Sequence, residues 1–159
     1  MASHLVNDNY IKKDGEKKTM ANEARVFAEG PENCIVRSFT VADATAIPKG
    51  TLLVDFATRS GVAHTAAVKK AVLGYTTMSK EASDGRTQIG CQRTGVIEAI
   101  ADGYVSTGDI VVAGQATANC VQSVGNDFLS VYNFNFQVLG RALTSAASAS
   151  VVKVALTLG

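Results

Sequence analysis

The sequence predicts an all-β protein, a compact β-barrel or sandwich with an extended N-terminal arm, and three observations carry that expectation. From about Cys34 onward, short apolar runs recur roughly every ten residues with Gly or Asp-Gly turns between them. A glycine turn that launches three apolar residues is written twice, as Ile47-Pro48-Lys49-Gly50-Thr51-Leu52-Leu53-Val54 and as Val105-Ser106-Thr107-Gly108-Asp109-Ile110-Val111-Val112. Each copy is followed by one tripeptide, Val72-Leu73-Gly74 and Val138-Leu139-Gly140. The pattern reads as two related halves of a β module, or as coincidence, since glycine before a β-branched run is common. Finally, Phe128 to Phe136 alternates with period two, placing Phe134 and Phe136 on one face and Asn133 and Asn135 on the other.

Element by element, Ile35 to Val41 alternates loosely as a strand and Asp43 to Pro48 is a loop. Leu52 to Phe56 is a short strong strand, and Thr58 to Gly61 turns into Val62-Ala63-His64-Thr65. Ala66 to Val72 reads as strand or as a helical turn, because Ala and Lys favour helix. Val72 to Met78 is a strand, and Lys80 to Arg86 is a polar loop with Asp84-Gly85 at its tip. Thr87 to Ala101 is one long β region bent at Gly90 or Gly95. Asp102-Gly103 and Gly108-Asp109 bracket the next connection, followed by strands at Ile110 to Ala113 and Ala116 to Val124. After the loop Gly125-Asn126-Asp127, strand character runs from Phe128 to Leu143. Thr144 to Ser150 is a small-residue loop, and Val151 to Leu158 closes the chain.

Composition bounds the possibilities. With 159 residues, one core can be built at this size, and the expected division is a polar arm over 1–32 and a β domain over 33–159. No run approaches the roughly 18 uninterrupted apolar residues of a membrane span. Met1 to Tyr10 is polar and is followed by Lys12 and Lys13, so manufacture in a cytosol-like compartment is expected. A net charge of +1 gives no global pull toward nucleic acid or lipid. Neither partner is expected. Cys34, Cys91 and Cys120 are widely spaced and read as small buried residues, so no metal or other cofactor is expected.

Charge is unevenly distributed. The leader holds Asp8, Lys12, Lys13, Asp14, Glu16, Lys17, Lys18, Glu23 and Arg25, whereas Ile110 to Gly159 holds only Asp127, Arg141 and Lys153. A charge-mixed leader cannot bury enough surface to fold alone. The charge-poor third either faces other protein or is kept in solution by Ser, Thr, Asn and Gln.

Candidate reaction centres are thin. His64 lies among Val62, Ala63 and Thr65 as a possible base, and reads more naturally as a structural histidine. Glu98, Asp102 and Asp109 lie near one connection, but the two aspartates adjoin turn glycines. Lys69-Lys70 and the leader lysines lack interleaved aromatics for nucleic acid. Two rival functions are a small-ligand-binding β-barrel lined by Phe128, Phe134 and Phe136, and a small hydrolase using His64 with Cys91 or a carboxylate.

The elements Gly50-Thr51-Leu52-Leu53-Val54, Val72-Leu73-Gly74, Gly95-Val96, Val105 to Val112, Val138-Leu139-Gly140-Arg141-Ala142 and Val151 to Leu156 together resemble the small head decoration (capsid cement) proteins of tailed bacteriophages. The resemblance spans roughly residues 47–158 in short, degenerate motifs. Family members are usually shorter, and the extra length lies in the leader, in Lys80–Arg86 and around Gly125–Asn135. It implies a tulip-like β domain that forms homotrimers on the outer capsid surface of the virion, clamping the major capsid protein without chemistry. It also implies an N-terminal arm that extends over the capsid or augments a sheet. From the charge pattern, Lys12, Lys13, Lys17, Lys18 and Arg25 are the expected capsid-contacting residues. Ile110, Val112, Val138, Leu139 and Arg141, on charge-poor strands, are the expected oligomer interface.

Overall fold

Period-two alternation and glycine turns become strands in the order the sequence suggests. A computed structural model of the chain describes residues 24–26, 34–57, 60–65, 70–125 and 138–158. Within them run β1 (Arg25–Val26), β2 (Val36–Thr40), β3 (Leu52–Ala57), β4 (Ser60–Ala63), β5 (Val72–Thr76) and β6 (Gln88–Gln92). These are followed by β7 (Thr94–Ala101), β8 (Ile110–Ala113), β9 (Cys120–Ser123), β10 (Val138–Ala142) and β11 (Val151–Thr157).

The strands close into two five-stranded barrels, so the all-β expectation holds. The first is ordered β2-β4-β3-β5-β6, and β2 also meets β6. The second is ordered β7-β11-β10-β8-β9, is closed by β7 against β9, and carries β1 on the edge of β7. The body therefore holds two small barrels in series.

The barrels are copies of one topology, pair for pair. A parallel bridge joins Thr40 to Ser60 in the first, and Ile100 to Cys120 in the second. Leu53 faces Gly74 as Val111 faces Gly140, and both ladders carry a bulge next to that glycine. Val54 pairs with Val72 as Val112 pairs with Val138, and Cys91 with Thr76 as Val154 with Ala142. Isolated bridges Ile47 to Lys80 and Val105 to Ala146 complete the match. The repeated glycine motif is a structural duplication and no coincidence.

Alternation sorts the core. Val41, Ile47, Leu53, Leu73, Ile89 and Cys91 fill the first barrel with Phe39 against them. Their counterparts Ala101, Val105, Val111, Leu139, Val152 and Val154 lie in the second. On β11 the inward Val152, Val154 and Leu156 alternate with outward Val151, Lys153 and Thr157.

Three expectations need correction. The single β region over Thr87 to Ala101 is two strands of different barrels, broken at Arg93, whose side chain is committed to carbonyls of both barrels. The strand over Ala116 to Val124 shortens to β9, because Asp102 Oδ2 draws the N–H groups of Ala116 and Thr117 into a turn and Asn119 is left-handed (φ 59°). Lys80, read as part of a polar loop, is buried at 2% exposure. The alternating stretch Phe128 to Phe136 and residues 66–69 lie outside the described residues.

Candidate functional site

The seam between the barrels is built by the outward face of β3 and β5. Since Leu53 and Leu73 point into the first barrel, their neighbours Leu52, Val54 and Val72 must point out, and with Tyr75 they join one buried cluster with the second barrel's core. Polar groups line this seam. Asn119 Oδ1 accepts the Leu52 N–H at 3.2 Å, and the Asn119 N–H donates to His64 Nδ1 at 3.3 Å. His64 is fully buried, and burial lowers its pKa. His64 Nε2 and the Tyr75 hydroxyl are buried without a hydrogen-bond partner.

Arg93, between β6 and β7, clasps the barrels. Its guanidinium donates through Nε to Leu158 O at 2.9 Å, through Nη2 to the same oxygen, and through Nη1 to Leu73 O at 2.8 Å. It also lies over the Phe39 ring, 5.7 Å from the centroid. The planar fork grips Leu158 O with two donors and Leu73 O with a third while its face lies on the Phe39 ring, a flat geometry that a lysine ammonium lacks. β1 adds a second stitch. The Ala24 N–H donates to Gly50 O at 2.7 Å in the first barrel, while Arg25 and Val26 pair with Glu98 and Ile97 of β7 in the second.

Duplication gives the second barrel a twin of the seam face. Leu52, Val54, Val72 and Tyr75 correspond to Ile110, Val112, Val138 and Arg141, because Leu52 pairs with Tyr75 as Ile110 pairs with Arg141. The structure thus brings four of the five expected interface residues onto one outer face. Ile110 and Val138 are half-buried, Val112 is buried, and Arg141 is exposed with Nη1 donating to Gly108 O at 2.9 Å. Leu139 points the other way, into the barrel core. Of the expected arm residues, Arg25 lies on β1, and Lys12, Lys13, Lys17 and Lys18 lie outside the described residues.

The sequence-level chemical candidates are dispersed. Asp102 accepts from the Ala116 and Thr117 N–H groups and the Thr117 hydroxyl. Asp109 Oδ2 accepts from the Ser106 N–H and the Ser123 hydroxyl, and Glu98 stands 3.9 Å from Lys153. Burial pushes the Cys91 thiol up to about 12, and burial with the nearby Asp102 charge pushes Cys120 up to about 11, so both stay protonated at neutral pH. Among the described residues no group of three or more His, Cys, Asp or Glu side chains could hold a metal ion. Phe128, Phe134 and Phe136, the proposed lining of a ligand barrel, lie outside the described residues.

Lys80 is the residue that sequence reasoning missed. Its Nζ donates to the carbonyls of Asp43 (2.6 Å), Glu81 (3.0 Å) and Thr45 (3.2 Å), and stands 3.4 Å from Asp84 and 3.7 Å from Asp43 carboxylates. The ammonium ties two loops at one end of the first barrel. Aligning the halves places Lys80 opposite Ala146, and that mismatch was the available signal.

No protein-family model matches the chain, and no curated protein matches it. Among solved structures, it is similar to the N-terminal base of head fibre gp8.5 of bacteriophage phi29, at 17% identity and a TM-score of 0.49. That match covers 79% of this chain and 97% of the other. A likeness this loose identifies neither a family nor a task.

Proposed function

We propose that the chain is a structural protein of a bacteriophage virion, attached to the outer surface of the head as a homotrimer and stabilising the major capsid protein shell without bond-making chemistry. One observation carries the reading. The residues that resemble the head decoration proteins are those that build the walls and turns of the two barrels: Gly50 to Val54 is β3 with its turn, Val105 to Val112 is β8 with its turn, and Val138 to Ala142 is β10. The twin of the seam face, around Ile110, Val138 and Arg141, fits a role in trimer contact, because the equivalent face of the first barrel already buries apolar surface against a neighbour. The polar leader and Arg25 fit capsid contact, with lysines pairing to acidic capsid surface.

The mechanism is mass action. A protein that binds the assembled shell but not its separated subunits stabilises the shell by its binding free energy, and a trimer makes each attachment multivalent. Heads prepared with and without the chain test this directly. Saturated heads should release their DNA at a higher temperature, and equal release temperatures would contradict the proposal.

A further inference from the structure

Duplication also exposes a difference between the halves. In β2 the Ile35 carbonyl accepts from Arg93 and the Val41 N–H donates to Thr87, so odd-numbered residues face β6. By alternation, Val36 and Ser38 direct their N–H and C=O groups to the other edge. On that edge the described residues supply only the single bridge from Thr40 to Ser60. The equivalent edge of β7 is filled, since Glu98 and Ile97, the counterparts of Ser38 and Arg37, pair with Arg25 and Val26 of β1.

The β2 edge, unfilled among the described residues, opens on a cleft of about 520 Å³ lined by Arg37, Ser38, Phe39, Thr40, Asp55 and Leu73. Two further signs mark it as incomplete. Phe39 is only partly buried and Leu73 is 9% exposed, whereas their counterparts Ala99 and Leu139 are 1% and 0% exposed. Asp55 Oδ1 is buried without a hydrogen-bond partner, where the filled barrel has the apolar Ala113.

We propose that this edge of β2 is a strand-acceptor slot for an extended segment of another protein chain, running antiparallel to β2 and presenting a basic side chain to Asp55. β1 supplies the template, because it shows what completes this position in the twin barrel. β1 is already engaged on β7, and no other described segment of this chain pairs with the edge at Val36 and Ser38. The occupant's backbone meets Val36 and Ser38, its apolar side chains cover Phe39 and Leu73, and its cation answers the orphaned carboxylate oxygen.

The test titrates isotope-labelled full chain with a synthetic peptide of Asn22–Glu29, which carries the β1 sequence and Arg25. Hydrogen exchange at the Val36 and Ser38 amides should slow at least about tenfold at saturation. In the β1 register Val26 stands opposite Ile97, the counterpart of Arg37, on the face that holds Phe39 and Asp55, so the same peptide with Val26→Lys should bind at least about tenfold more tightly than with Val26→Glu. Ser38→Pro, which removes an outward N–H and leaves the bonds to β6 in place, should abolish the protection. Should that variant not fold, Asp55→Ala, which copies the twin residue Ala113, should equalise the two peptides. No protection at Val36 and Ser38, or protection confined to Ile97 and Glu98, overturns the proposal. Protection in the chain alone that rises with its concentration assigns the slot to a second copy, and protection independent of concentration assigns it to the chain's own residues; either overturns it too. These outcomes do not depend on whether the chain binds capsids.

Discussion

Lys80 and Ala146 occupy the same bridge position in the two barrels and do different work. Lys80 satisfies three carbonyls, so Lys80→Ala removes their shared donor and empties the buried space its side chain fills, while Asp84 keeps Arg86 and the Glu81 and Arg86 N–H groups. Losing hydrogen bonds to a charged donor should cost about 3 kcal/mol, a fall in melting temperature of roughly 6–12 °C for a chain of this size, measured by thermal denaturation. A fall under about 2 °C would show the ammonium to be idle. Nothing local in the polar sequence Lys80 to Arg86 announces that burial, because it depends on carbonyls of Asp43 and Thr45 far away in sequence. His64 was legible as structural, but its complete burial was not, because Asn119 and the second barrel supply its cover. The unfolded histidine takes up a proton near pH 6.5, and the buried one only at lower pH. Between those values the unfolded chain binds more protons, so stability should decline as pH falls below about 6.5. Melting curves from pH 7.5 to 5 should show this decline in the natural chain and a shallower one in His64→Gln, whose amide oxygen can still accept the Asn119 N–H. Parallel profiles would contradict the assignment.

At the scale of elements, the twice-written glycine turn was readable because the backbone demands it. Gly50 and Gly108 both hold positive φ, 84° and 89°, before β3 and β8. Their surroundings differ. A Cβ on Gly108 meets nothing within 4 Å, whereas one on Gly50 would lie 1.9 Å from the Ala24 carbonyl oxygen, where the root of β1 crosses the turn. Gly108→Ala should therefore cost about 1 kcal/mol, the conformational penalty alone. Gly50→Ala should cost more and should also speed hydrogen exchange at Ile97 and Glu98, by dislodging β1. Equal costs, with β7 unaffected, would mean that β1 does not bind there. The break at Arg93 was hidden for a related reason. Gln92-Arg93-Thr94 holds no Gly, Pro or Asp to signal a turn, and only the acceptors Leu73 O and Leu158 O, distant in sequence, show that one strand ends and the next barrel begins.

For the whole molecule, the all-β class and most strand positions followed from periodicity, since each barrel wall alternates in and out. The count of barrels did not, because one ten-strand body and two five-strand barrels present the same spacing and differ only in which strands pair. A continuous apolar seam, an arginine clasp and a strand stitched to both join the two barrels. One buried cluster across the seam also predicts a single cooperative unfolding transition by calorimetry, and two separated transitions would show that the barrels are independent. The central claim is attachment to an assembled shell. Sedimentation of the purified chain with expanded and with unexpanded phage heads tests it most directly. The account predicts a trimer that co-sediments with expanded heads and stays behind with unexpanded ones; a chain left in the supernatant in both cases would contradict it.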